Sequence, residues 1–319
     1  MARVRKGRPL NGVLLLDKPA GMTSNAALQK VRRLFGAQKA GHTGSLDPLA
    51  TGVLPICFGE ATKFSNFLLD ADKGYYTTAK LGDTRNTGDS DGEQVACHPV
   101  PDLNESILLP VLDKFKGDIQ QVPSMYSALK HQGKPLYEYA RKGITIERPA
   151  RAIKIHRLEL DAIRGDELDL TVECSKGTYI RSLVEDIGSE LGCGAHVSML
   201  RRFKAGHFSL ADSMTLEALE SQAETALNSG GRQEIDAHLM PTDCLLPDLE
   251  KVCANNELAR SILHGQAVRI ADFKKMGLAR LYVSQRESAD DLFAGVVEVL
   301  DDGWIQPKRL VNLDLDLVC

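Results

Sequence analysis

The sequence predicts an α+β fold in two parts, and three observations carry that prediction. Helical and strand-like periods are interspersed through the first 247 residues. Two of the strands, Arg151 to Leu160 and Leu168 to Cys174, alternate in polarity around a Gly165-Asp166 turn, which reads as an antiparallel pair. From Leu249 onward the texture changes to short β-rich segments, the pattern of a small separate module. A length of 319 residues suits this division, since one domain takes roughly 150 residues.

Taken in order, Met1 to Leu10 reads as a flexible basic arm, and the main body spans residues 11–247. Asn11 to Leu16 is a short buried strand. Lys18-Pro19-Ala20-Gly21-Met22-Thr23-Ser24 is a turn in which Thr23 or Ser24 can cap the next helix. That helix sets Ala27, Leu28, Val31 and Leu34 on one face. Gly59 to Leu69 reads as helical, Lys73 to Leu81 as a strand rich in Tyr and Thr, and Gly82 to Gly92 as a turn. A helix over Asn104 to Phe115 and a short basic one over Leu136 to Lys142 precede the antiparallel pair. After Gly177, the spacing of Ile180, Leu183, Val184, Ile187 and Leu191 predicts a helix, and Ala195 to Arg202 a strand with two arginines. Thr215 to Leu227 is an acidic helix, and residues 229–248 read as a linker. The module at 248–319 opens with a helix from Leu249 to His264, followed by strands near 268–270, 281–283, 294–299 and 304–307.

The stretch Gly41-His42-Thr43-Gly44-Ser45-Leu46-Asp47-Pro48-Leu49-Ala50-Thr51-Gly52 belongs to neither helix nor strand. Its glycines permit positive φ, and Pro48 fixes the backbone directly after the acid. Apolar segments on both sides tie this loop to the core, so it displays one carboxylate and one imidazole from a rigid base. It lacks the Gly-Lys-Ser/Thr ending of a phosphate loop and the Gly-x-Ser-x-Gly of a nucleophile elbow. One His and one Asp do not make a metal site. A carboxylate acting as nucleophile or as electrostatic stabiliser remains.

The net charge is −4, yet residues 1–50 hold nine Lys/Arg against two acids, and residues 211–260 hold ten acids against three bases. That asymmetry predicts a basic face around the loop and a phosphate-bearing partner. Seven cysteines without any Cys-x-x-Cys fit free thiols in a reducing cytoplasm. No apolar run approaches the ~20 residues of a membrane span.

Together, these segments resemble the TruB family of tRNA pseudouridine synthases. The Gly41–Gly52 loop looks like its catalytic motif, and Lys18 to Ser24 matches its first motif. Gln121-Val122-Pro123-Ser124-Met125-Tyr126-Ser127-Ala128-Leu129-Lys130 and Cys174-Ser175-Lys176-Gly177-Thr178-Tyr179-Ile180-Arg181 match two more. The resemblance implies a pseudouridine synthase domain with a mixed, mostly antiparallel sheet and peripheral helices, ending in a PUA-like RNA-binding module. It implies catalytic Asp47, Tyr75 and Arg181, with Arg181 paired to Asp47. It further implies that His42, Tyr75, Tyr179, Leu200 and Lys18 meet the substrate, with His42 as the wedge of base flipping. A lone His beside an Asp also reads as an acid or base, and the residues alone leave both roles open. The implied reaction isomerises the T-loop uridine of tRNA (position 55) without cofactor or metal, in a cytoplasmic monomer. Two departures from the family pattern stand nearby: Gly74 in place of a basic residue, and Arg85-Asn86-Thr87 in place of Thr-Asp-Thr. A hydrolytic glycosidase is a rival reading, but it wants a second carboxylate in a comparable loop. An RNA chaperone without chemistry is the other.

Overall fold

The structure, a computed structural model, describes residues 7–228, 231–270, 275–284 and 291–313. Its main element is a ten-stranded sheet. Eight strands run across it in the order Met214–Thr215, Gly12–Lys18, Thr51–Phe58, Ala195–Ala205, Lys73–Leu81, Glu167–Cys174, Arg151–Arg164 and Gly117–Gln121. Short strands Ala40–His42 and Phe208–Ser209 attach at the side. Of the neighbouring pairs, Gly12–Lys18 with Met214–Thr215 and Thr51–Phe58 with Ala195–Ala205 are parallel, and the others are antiparallel. The sheet is therefore mixed and mostly antiparallel, as the resemblance implies.

Each face carries a different layer. Leu14, Leu16, Leu54, Ile56, Ala79, Leu81, Leu170 and Val172 face the helices Ser24–Phe35, Glu105–Asp113, Ile180–Glu190 and Leu216–Asn228. Helix Ser24–Phe35 buries Ala27, Leu28, Val31 and Phe35, with Leu34 only partly covered. Thr23 caps it by accepting from the Ala26 amide at 3.1 Å. Val13, Leu15, Val53 and Cys57 face the other way, toward Phe64, Leu68, Leu245 and Leu246. Full burial of each such aliphatic side chain stabilises by about 1.5–3 kcal/mol.

Several expectations change. Gly59 to Leu69 forms a 3-10 turn, Gly59–Lys63, followed by the short helix Ser65–Leu69. Residues 7–10, expected in a free arm, are fastened: the Arg8 amide donates to Gly36 at 2.7 Å, and Arg8 pairs with Asp236. The rest of that arm, residues 1–6, lies outside the described residues. The expected linker is packed, since Val13 and Met240 exchange two backbone hydrogen bonds of 2.9 Å and Ile235 is buried. The expected helix from Leu249 is a strand first, Glu250–Ala254, and only then the helix Asn256–Leu263. Val252 and Ala254 are buried in that strand, an alternation with period two that a helical reading misses.

The C-terminal residues form a five-stranded sheet ordered Glu250–Ala254, Gly277–Val283, Leu292–Val299, Trp304–Leu310, Val268–Arg269. It has its own core of Val252, Ala259, Ile262, Leu281, Val297 and Ile305. Its Val296 and Val311 also join the layer built on Val13, Phe64 and Leu68. Phe293 meets the Phe64 ring edge-on at 5.4 Å, and Lys63 Nζ donates to the Leu310 carbonyl at 2.9 Å.

Candidate active site

The Asp47 loop is held on both sides of the carboxylate. Before it, the buried Ser24 hydroxyl accepts from the Leu46 amide at 2.7 Å and donates to the Leu46 carbonyl at 3.0 Å. Thr23 caps the helix and leaves Ser24 free for this task. After it, the Pro48 carbonyl accepts from the Gly21 amide at 2.9 Å and from Lys18 Nζ at 3.4 Å. The first motif is thus the clamp of the Asp47 loop. Lys18, expected to meet the substrate, is 0% exposed. Its ammonium donates to the carbonyls of Pro19 at 2.8 Å and Met22 at 2.7 Å. It shapes the loop from below, and burial lowers its pKa to about 8.

Strand Thr51–Phe58 leaves the loop beside strand Ala195–Ala205. Gly52 sits there at φ 104°, where a Cβ would lie 2.1 Å from the Arg202 carbonyl oxygen. Only glycine allows that approach. Gly74 has a similar reason. The Phe203 ring occupies the place of its side chain and stacks on Tyr76 at 4.5 Å. A side chain there would have to displace the Phe203 ring.

Arg181 stands in the first turn of helix Ile180–Glu190, which its macrodipole makes unfavourable for a cation. The compensation is local. Its Nε lies 3.0 Å from Asp47 Oδ2, and Nη1 lies 3.7 Å from Asp89 Oδ2. Nη2 donates to the Tyr126 carbonyl at 2.8 Å and Nη1 to that of Thr87 at 2.5 Å. The guanidinium is 5% exposed and the Asp47 carboxylate 39%. One partner is locked, and the other is reachable from solvent. Burial pushes the Asp47 carboxyl above its ordinary value against the pull of Arg181, and Asp89 adds to the rise. The ion pair therefore aims the carboxylate more than it acidifies it.

The turn Gly82 to Gly92 joins the site through Thr87 and Asp89. Thr87 donates to Asp89 Oδ1 at 2.6 Å, and the buried His196 ring lies 3.1 Å from the Ser90 hydroxyl. Arg85 is spent within the turn, on Asp83 at 2.8 Å and the Gly92 carbonyl at 3.0 Å. Tyr179 is the N-cap residue, and Gln121 holds its backbone at both ends, accepting at 2.8 Å and donating at 3.0 Å.

Tyr75, half-buried, lies opposite Val172 on one side and Arg202 on the other. Leu200 is buried two residues before Arg202, on the same face. His42 has a buried Nδ1 without a partner among the described residues. Burial, with Arg202 adding, lowers its pKa. Among the described residues, no three His, Cys, Asp or Glu side chains gather as a metal requires. Sequence reasoning named Asp47, Arg181 and Tyr75 but missed Asp89, Gln121 and Arg202. Gln121 does begin one of the motifs, and Asp89 lies in the Gly/Asp/Thr turn.

Comparison with known proteins bears on this geometry. The model of the TruB family pseudouridylate synthase N-terminal domain matches residues 32–180. That of the tRNA pseudouridylate synthase B C-terminal domain matches 181–247, and that of pseudouridine synthase II TruB, C-terminal, matches 252–311. The tRNA pseudouridine synthase B of Vibrio parahaemolyticus is 53% identical over 313 residues, covering 98% of this chain and 98% of its own length. That of Tolumonas auensis is 52% identical, covering 98% and 95%. Among solved structures, a Cbf5-Nop10-Gar1 complex matches with TM-score 0.69 at 27% identity over 92% of this chain and 79% of that one. An H/ACA RNP bound to a substrate RNA containing 2'-deoxyuridine matches in fold, with TM-score 0.73 at 23% identity over 100% and 93%. By sequence along its whole length and by fold, the chain belongs to the TruB family of pseudouridylate synthases.

Proposed function

We propose that the protein is an isomerase that converts uridine in tRNA to pseudouridine, and that its target is the T-loop uridine at position 55. The observation that carries this reading is the 3.0 Å contact that aims a solvent-reachable Asp47 from a buried Arg181, in a chain whose relatives are named for this reaction.

The reaction breaks N1–C1′, turns the uracil and bonds C5 to C1′. The C5 proton leaves and N1 gains one, so the atoms balance with no redox change. Two routes fit one aspartate: attack on the ring or sugar, or removal of a C2′ proton to give a glycal. Both need Asp47 ionised, which Arg181 favours. A stacked base is out of reach, so the uridine is flipped into the site. His42, its pKa lowered and its buried Nδ1 without a hydrogen-bond partner among the described residues, suits a wedge into the vacated space better than an acid. Tyr75 stacks on the flipped uracil and relays the C5 proton, Leu200 packs beside it, and Tyr179 backs the pocket. Lys18 contributes by holding the loop.

The domain reading belongs to the same proposal: a basic N-terminal segment at 1–10 whose residues 7–10 are fastened to the body, a catalytic body at 11–247 and a PUA-like RNA-binding module at 248–319, in a cytoplasmic monomer. Incubation with an unmodified tRNA transcript, followed by mapping of pseudouridine, tests it. Pseudouridine at position 55 is expected. Free uracil would point to hydrolysis, binding without product to a chaperone, and pseudouridine elsewhere would overturn the assigned site.

A further inference from the structure

Among the described residues, Arg202 is the largest fully buried side chain, at 1% exposure. Its Nε donates to the Val53 carbonyl at 2.8 Å, and its Nη2 to the Gly44 carbonyl at 3.1 Å. Among the described residues no carboxylate forms an ion pair with it, and its hydrogen bonds go to these two backbone carbonyls. A buried cation without a counter-ion is costly, and carbonyls offset only part of that cost. Its neighbours explain the placement. Gly44 lies two residues beyond His42 in the catalytic loop. Across the strands, Arg202 pairs in register with Gly52 on one side and with Tyr75 on the other. Arg202 therefore touches both the loop that carries His42 and the strand that carries Tyr75.

We propose that Arg202 is a positioning residue that fixes the His42 loop and the Tyr75 hydroxyl relative to one another, so that base flipping delivers the uracil onto an oriented phenol. This inference rests on the reading of Tyr75 given above. The phenol itself responds to Arg202: burial raises its pKa, while the charge of the neighbouring guanidinium opposes the rise. Lysine is a poor substitute, because one ammonium does not reproduce a planar fork spanning two carbonyls.

A double-mutant cycle on single-turnover pseudouridine formation tests the proposal, with tRNA binding and melting temperature measured alongside. Arg202→Met is expected to slow the chemical step by ~30-fold or more while tRNA affinity stays within about 3-fold. In a Tyr75→Phe background, the same change should add less than about 2-fold, because the hydroxyl through which it acts is gone. Effects that multiply would assign Arg202 a merely structural part and overturn the proposal, as would a wild-type rate in Arg202→Met. If Arg202→Met does not fold, Arg202→Lys enters the same cycle under the same criteria. Tyr75→Phe at the wild-type rate would overturn the role of Tyr75 itself, whereas a slow Tyr75→Phe with multiplying effects removes only Arg202.

Discussion

Asp47 and Arg181 carry opposite demands on one contact. The proposed chemistry needs an ionised carboxylate, and burial resists ionisation. Because the folded carboxyl titrates above its ordinary value of 3.8, the active form is lost as pH falls, and the loss begins sooner than for a free aspartate. Single-turnover rates taken from neutral to acid pH should show an acid limb centred above that ordinary value. A limb at or below it would mean that Arg181 outweighs burial. Arg181→Lys keeps the charge but loses the fork that bonds Asp47, Thr87 and Tyr126 together. Turnover should fall on the order of 10²-fold with tRNA affinity nearly unchanged. A normal single-turnover rate would remove Arg181 from the constellation. What was legible in the sequence follows the same division. Asp47 stands in a loop whose Gly and Pro can only mean shaped backbone, and Arg181 stands where a helix start demands an anion. Arg202 was not legible, because its meaning depends on Gly44, 158 residues away, and periodicity does not encode such a pairing.

At the scale of elements, the basic N-terminal segment is less free than its charge suggests. Arg8 pairs with Asp236, and Lys30 lies 2.6 Å from Glu220. Both partners belong to the acidic stretch at residues 211–260. The two charge blocks thus partly cancel where helix Ser24–Phe35 meets helix Leu216–Asn228. tRNA affinity should still fall steeply with salt through counterion release. Lys30→Ala should leave the slope of log affinity against log salt within about 0.3 of wild type, since a phosphate contact contributes a slope near 1. A slope reduced by a full unit would show Lys30 on RNA. The strand at Glu250–Ala254 escaped the sequence reading for a related reason: it pairs in parallel with Gly277–Val283, a partner more than twenty residues on.

At the scale of the molecule, the C-terminal sheet and the main sheet share a hydrophobic layer in which Val296 and Val311 meet Val13, Leu15 and Phe64. The texture change at Leu249 made two parts legible, but the shared layer required contacts that only the fold brings together. Calorimetry should therefore record one cooperative unfolding transition rather than two. Two well-separated transitions would contradict the docking. Strand Gly12–Lys18, which contributes Val13 and Leu15 to that layer, ends on the residue that braces the Asp47 loop.

The central claim is that the carboxylate held by this framework does the chemistry and does not hold RNA. Asp47→Asn measures that most directly, because it removes the charge and preserves the shape. Under single-turnover conditions with unmodified tRNA, pseudouridine should fall below detection while the dissociation constant for tRNA stays within about 3-fold of wild type, the carboxylate being no phosphate contact. Product formation at a rate near wild type, or loss of activity accounted for by loss of binding, would contradict the account.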